Sequence, residues 1–213
     1  MPEDVKREYR STLRAAQAAD TRSAIVAAAA HLFVERGYAA TTIDAVAADA
    51  GVSRKTVFTA VGGKVELLKT AVDWAVAGDD GAVSVRNRPA VLDVLARSGA
   101  KDLLAGWTRV LVGIDVRVAG LFRALEVAAE SDDDARTLLE ESQRQRLSGA
   151  REIVKRLIAL NALSPDVSRA EAVDIAWLAT DPVLYDRFVR VRGWSVTRFE
   201  AWLARLLVTQ LLG

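Results

Sequence analysis

Residues 41–64, TTIDAVAADAGVSRKTVFTAVGGK, decide the fold. Thr42 can cap a short helix whose buried stripe is Ile43, Val46, Ala47 and Ala50, and Gly51 stops it. Ser53 caps a second short helix two residues later, and Gly62 and Gly63 break that one. A glycine permits the sharp reversal, Val52 seals the turn, and the serine restarts the chain as helix. This is a helix-turn-helix. The first turn of its second helix, Ser53-Arg54-Lys55-Thr56, offers hydroxyls and cations where backbone N–H groups also point outward. A phosphate backbone with base edges beside it suits such a surface. An ordinary capped helix start in solvent is the plainer alternative; the surrounding register favours DNA.

Upstream, residues 1–19 are charged and alanine-rich without a clear apolar face, and read as a frayed arm. Asp20 or Thr21 can cap a first helix whose stripe is Ile25, Ala28, Ala29, Leu32 and Phe33, ended by Gly37. Downstream, a fourth helix starts near Lys64, and Gly78 to Arg88 reads as a loop. Pro89 suits a first helical turn. Helices are then expected over 91–97, 102–118 and 121–130, and over a long stretch from a Ser131 cap to about Asn161. Ser168 and Glu171 form a capping box, and Pro182 should split the helix that follows. Ser195 caps the last helix, with Trp194 stapled onto Phe199. No strand pattern competes, so the chain is all-α with about nine helices. Residues 1–19 form the arm, 20–65 the DNA-binding domain, and 66–213 a ligand-binding and dimerisation domain.

Composition narrows the function. The chain has 213 residues, 51% hydrophobic and 27% charged, so a sizeable core is available. It has no cysteine and one histidine, which leaves a disulfide framework, a zinc site or a Ser-His triad almost nothing to build on. No glycine-rich phosphate loop or nucleophile elbow is present. The expectation is no catalysis, no cofactor and no metal. No apolar run approaches the ~20 residues of a membrane span, and no signal peptide is visible, so a cytoplasmic protein is expected. Net charge is only +1. Residues 1–70 hold ten Lys/Arg and eight Asp/Glu, an excess of the right sign for DNA but small.

Taken together, Leu32-Phe33-Val34-Glu35-Arg36-Gly37-Tyr38, Thr41-Thr42-Ile43, Ala47, Ala50-Gly51-Val52-Ser53, Thr56-Val57-Phe58, Lys64 and Leu67-Leu68 resemble the TetR family of bacterial repressors. A weaker likeness continues at Leu121-Phe122-Arg123-Ala124-Leu125 and from Trp177 to Trp202. The resemblance implies a homodimer with two recognition helices about 34–36 Å apart on a palindromic operator. It also implies a small-molecule effector that moves helix 4 and releases the DNA. Carried onto this chain, Thr42 and Lys64 would touch phosphate, and Ser53, Arg54, Lys55 and Thr56 would enter the major groove, with Thr59 beside them. Arg54 and Lys55 are the candidates for base edges. The chain departs from the family at Phe58, where tyrosine is usual, at Ala60-Val61, where aromatics are frequent, and at Gly63, where a capping residue is usual. Weaker phosphate anchoring follows. A helical ligand-binding module with weak or vestigial DNA binding is therefore the alternative reading.

Trp107, Phe122, Trp177 and Tyr185 are the candidates to line an apolar effector cavity, core packing being the plainer role of each. Arg117 and Glu126 lie close enough in sequence to orient a ligand, although a surface or paired charge is the commoner fate. The apolar surfaces of the last two helical regions, with Trp194, Phe199, Trp202 and Leu206, are expected at the dimer interface. Asp132-Asp133-Asp134 follows Ser131 and is better explained by a helix dipole than by a metal.

Overall fold

The computed structural model describes residues 3–81 and 84–213, with side chains from Leu13 onward. Lys6, Arg7 and Arg10 of the arm therefore have side chains outside the described residues. Ten α-helices account for most of the rest, and no strand occurs among the described residues. They are α1 (Glu3–Ala40), α2 (Ile43–Asp49), α3 (Arg54–Ala60), α4 (Lys64–Ala77), α5 (Pro89–Leu95), α6 (Ala100–Ala129), α7 (Asp133–Ala159), α8 (Arg169–Ala179), α9 (Pro182–Tyr185) and α10 (Val196–Leu212). A single 3₁₀ turn precedes α5, and a π-helical turn over Asp186–Val191 follows α9. The chain divides into two compact units, Met1–Asp73 and Trp74–Gly213.

In the first unit α1 packs on α2 and α3. Ile25, Leu32, Phe33, Val46, Val57, Leu67 and Leu68 fill its interior. No cap interrupts α1 at Asp20 or Thr21. Thr21 Oγ1 instead donates back to the Gln17 carbonyl at 2.8 Å, and the flanking alanines favour continued helix. Helical geometry fails at Gly37, whose φ of 76° and ψ of 171° only glycine adopts without strain. Thr41 Oγ1 closes this corner by donating to the Gly37 carbonyl at 2.8 Å.

In the second unit α6 is central, packing against α5, α7, α9 and α10, while α8 packs on α7 and α10. The expected break between Val118 and Leu121 is absent. Val118, Ala119, Leu121 and Phe122 are all buried, and their packing outweighs the ~1 kcal/mol that Gly120 costs a helix. Helix α7 is capped by Asp132 rather than Ser131. The Asp132 carboxylate accepts from the backbone N–H groups of Asp134 and Ala135, both at 3.1 Å. Among the described residues no acidic or histidine cluster could hold a metal. Pro182 splits α8 from α9 as its missing N–H requires, with Asp181 as the new cap.

The staple at the start of α10 is built differently from expectation. Phe188 lies between the two rings, 4.7 Å from Trp194, 4.7 Å from Trp202 and 6.1 Å from Phe199. Phe199 is fully buried and meets Tyr185 edge-on at 5.5 Å. A residue enclosed by its own chain cannot face a partner, so Phe199 belongs to the core and not to an interface. Trp194, Trp202 and Leu206 keep part of their surface in solvent.

Candidate DNA-reading surface and effector cavity

The turn between α2 and α3 follows from three residues. Gly51 adopts φ 67°, and the chain closes with the Gly51 N–H on the Ala48 carbonyl at 3.3 Å and the Val52 N–H on the Ala47 carbonyl at 2.9 Å. This pair of bonds is the Schellman ending that a left-handed glycine makes available. Ser53 then caps α3: its hydroxyl accepts from the Thr56 N–H at 3.1 Å and shares a 2.8 Å bond with Thr56 Oγ1. Thr42 caps α2 in the same way through the Ala45 N–H at 3.1 Å. Val57 is the buried anchor of α3, and Thr56 and Ala60 are half-buried on either side of it.

Ser53, Arg54, Lys55, Phe58 and Thr59 are exposed, and Thr56 is half-buried. The two candidate base readers differ. Arg54 is paired with Asp44 of α2, Nη1 to Oδ2 at 3.0 Å, and its guanidinium lies 5.7 Å from the Phe58 ring centre. Lys55 projects its ammonium with no hydrogen-bonding or ionic partner among the described residues. Thr59 Oγ1 donates to the Lys55 carbonyl at 2.9 Å. Lys64 is not free: its ammonium donates to the Ala39 carbonyl at 3.3 Å and sits 4.1 Å from the Tyr38 ring centre. Phe58 keeps nearly half of its surface exposed on the same face as Arg54.

In the second unit a cavity of about 200 Å³ lies between α6, at Ala119, Phe122 and Glu126, and the stretch carrying Val183, Asp186 and Arg187. Its far wall is the π-helical turn, a geometry that recurs at functional sites. Of the four aromatic candidates only Phe122 lines it. Trp107 and Tyr185 belong to the buried core, and Trp177 packs half-buried against that core.

Beside the cavity stands a polar cluster that periodicity alone does not single out. Asp115 of α6 is 3% exposed and its Oδ2 has no hydrogen-bond partner. Burial, reinforced by the charge of Asp181, raises its carboxyl to about 8, with Arg146 opposing. Arg146 of α7 donates to the Thr180 carbonyl at 3.2 Å and pairs with Asp181 at 3.3 Å. Its guanidinium carbon is 5.4 Å from both the Phe122 and the Trp177 ring centres. Trp177 Nε1 is buried and unpartnered. Burial also raises Glu126 and Tyr185, the latter with help from Asp115. The signal for Asp115 was an acid inside an apolar stripe, Leu111, Asp115, Val118, Phe122, at helical spacing. Arg117 lies elsewhere and caps α4, donating to the Ala75 carbonyl at 2.7 Å and the Val76 carbonyl at 3.3 Å.

A glycine-hinged helix pair that turns hydroxyls and cations outward is the geometry of a helix-turn-helix, and a separate helical unit follows it. Residues 25–71 match the family model of bacterial regulatory proteins, tetR family. No curated protein matches the chain. Its fold is shared by a protein described as a TetR-family transcriptional regulator from Rhodococcus sp., at TM-score 0.68 and 18% identity, over 92% of this chain and 100% of that one. It is shared by NalD of Pseudomonas aeruginosa, the secondary repressor of the MexAB-OprM multidrug efflux pump, at TM-score 0.62 and 19% identity, over 91% and 97% of the two chains. The ketosteroid transcriptional regulator KstR2 of Mycobacterium tuberculosis superposes with TM-score 0.61 at 15% identity, over 90% and 95%. At these identities the likeness is one of fold.

Proposed function

We propose that the chain is a ligand-responsive repressor that binds a palindromic operator as a homodimer and leaves it when a small, largely apolar effector occupies the second unit. The observation that carries the reading is the Ser53-capped start of α3, which turns Arg54, Lys55 and Thr59 outward while only Val57 anchors the helix. Residues 20–65 read the DNA. Thr42 contacts phosphate, Ser53, Arg54, Lys55 and Thr56 enter the major groove with Arg54 and Lys55 on base edges, and Lys64 reinforces the backbone contact once it leaves Ala39. Residues 66–213 carry effector and dimer functions. Leu178 of α8, Val191 and Val196 are exposed and Trp194, Trp202 and Leu206 half-buried, apolar surface that a second copy would cover. KstR2 is a ketosteroid transcriptional regulator and NalD represses a multidrug efflux pump, and their sharing this fold supports an apolar effector. Nothing in the site calls for catalysis or a cofactor, and no helix among the described residues is long and apolar enough to cross a membrane. The regulator would work in the cytoplasm, where its operator lies.

The test is selection of binding sites from randomised duplex DNA at moderate salt, followed by footprinting. A two-fold symmetric site protected on one face is expected. Binding that follows salt alone, with no selected sequence, favours instead a helical ligand-binding module with vestigial DNA contacts. The Asp44–Arg54 pair and the missing hydroxyl at Phe58 are the observations on that side.

A further inference from the structure

The polar cluster beside the cavity sets four carboxyls against four arginines, Arg123, Arg146, Arg187 and Arg190, but pairs them unevenly. Four carboxyls (Asp115, Glu126, Asp181 and Asp186) meet there, and three of them have cations of their own nearby. Asp181 pairs with Arg146, Asp186 lies 3.5 Å from Arg190, and Glu126 faces Arg187. Asp115 has none to itself. The one cation that faces it, Arg146, is committed to the Thr180 carbonyl and to Asp181. A buried carboxyl with an unpartnered oxygen is costly, by roughly 1–3 kcal/mol even when neutral, and such groups call for an explanation.

Its surroundings supply one. Asp115, Ala119, Phe122 and Glu126 follow one another along a single face of α6, and the last three line the cavity. Phe122 touches both spaces: its ring borders the cavity and lies against the Arg146 guanidinium. Ring faces already attract the Arg146 cation here, and they would attract another. The cavity, at about 200 Å³, has room for one or two fused rings and not for a large lipid.

We infer that the effector is a small hydrophobic amine, its protonated nitrogen paired with the Asp115 carboxylate and its apolar body against Phe122. The inference rests on the effector reading above and names the chemical class of ligand. It carries a pH signature. The groups facing Asp115 are Asp181 and Arg146, with the Tyr185 phenol also within electrostatic reach. In the free protein burial and the charge of Asp181, against the opposing Arg146, keep Asp115 protonated up to about pH 8. Pairing with an ammonium ionises it, so each amine bound below that pH releases a proton. Affinity then rises on the order of tenfold per pH unit from pH 6 toward 8.

The experiment is isothermal titration of the full-length protein with phenethylamine, tryptamine and 1-naphthylmethylamine, each beside the matching alcohol and carboxylate. It is repeated at pH 6, 7 and 8 in buffers of different ionisation enthalpy, and with Asp115→Asn. Amines are expected to bind more tightly than their alcohols, to release close to one proton at pH 7, and to lose most affinity in the variant. The inference is overturned if alcohols or carboxylates bind as well as amines, if Asp115→Asn retains amine binding, or if no amine binds. Proton release in the wild type decides the matter even if the variant does not fold. These readouts need no DNA. An alcohol or carboxylate that binds and dissociates an operator complex would end the amine assignment while leaving the repressor reading intact. Failure to select an operator would do the reverse.

Discussion

Arg54 Nη1 stands 3.0 Å from Asp44 Oδ2, so the first cation of the reading helix is held by a carboxylate from the helix before it. Both side chains are more than half exposed, and such a pair contributes little, at most about 1 kcal/mol. A guanine edge or a phosphate can therefore displace Asp44, but the carboxylate remains close to the DNA and repels it. Asp44→Asn should raise affinity several-fold at low salt, with the gain shrinking toward about 300 mM. Fluorescence anisotropy on the selected operator measures this. Unchanged affinity across the salt range would place Asp44 away from the phosphates.

Lys55 needs no such exchange, because its ammonium has no partner to leave among the described residues. Lys55→Ala and Arg54→Ala separate the two DNA-reading modes. Loss of a base contact should cost about 1–3 kcal/mol on the operator and relax preference at one base position. Loss of a phosphate contact should weaken all sequences alike and lower the salt slope by about one. Thermal melting of both variants should match wild type, since neither side chain is buried. Operator binding as tight as wild type in both variants would remove α3 from the DNA.

Phe58 is exposed one turn beyond Arg54, on the outward face of α3, and it has no hydroxyl to offer a phosphate. Phe58→Tyr adds one donor in the same shape. Affinity for operator and unrelated DNA should rise together by a few-fold, worth about 1 kcal/mol as a typical hydrogen bond. A gain confined to the operator would instead make residue 58 a base reader.

These residues also show what was legible beforehand. Thr42, Gly51 and Ser53 could be read because caps and turns are local: each satisfies backbone groups within five residues of itself. The split at Pro182 is local in the same sense. The unbroken run through Gly120 and the enclosure of Phe199 are tertiary outcomes, decided by neighbours far away in sequence. The commitment of Arg54 to Asp44 and of Lys64 to Ala39 depends on how α3 approaches α2 and how α4 approaches α1, which no pattern of residue types encodes. Asp115 lay between these cases. Its position in an apolar stripe was visible, but its lack of a counter-ion required the whole bundle.

Arg117 offers a test of how the second unit holds the end of α4. Its guanidinium bonds to Ala75 and Val76 at the carbonyl end of that helix, where a cation is also favoured by the dipole. It stands two residues after Asp115 on the same helix. Arg117→Ala should lower stability by about 1 kcal/mol, the side chain being exposed. Basal operator affinity should change little, while the effector should release DNA less completely, because the tie between α6 and α4 is loosened. Titrating effector into the operator complex of wild type and variant measures the coupling. Equal release by both proteins would make Arg117 a helix cap and nothing more.

The pH dependence of stability follows from Asp115. Its folded carboxyl sits at about 8 against an ordinary 3.8, so the native state holds this proton more tightly than the unfolded chain does. The stabilisation is complete below about pH 4, is lost as pH rises toward 8, and changes no further above that. Within this window wild type should lose up to about 1.4 kcal/mol per pH unit relative to a protein without the group. Asp115→Asn keeps the shape and cannot ionise. Its melting temperature should be close to wild type near pH 4.5 and clearly higher near pH 8.5, in the absence of any amine. If the variant is instead the less stable protein at pH 8.5, the Asp115 carboxylate is compensated inside the fold. An effector would then find no unpaired charge to meet.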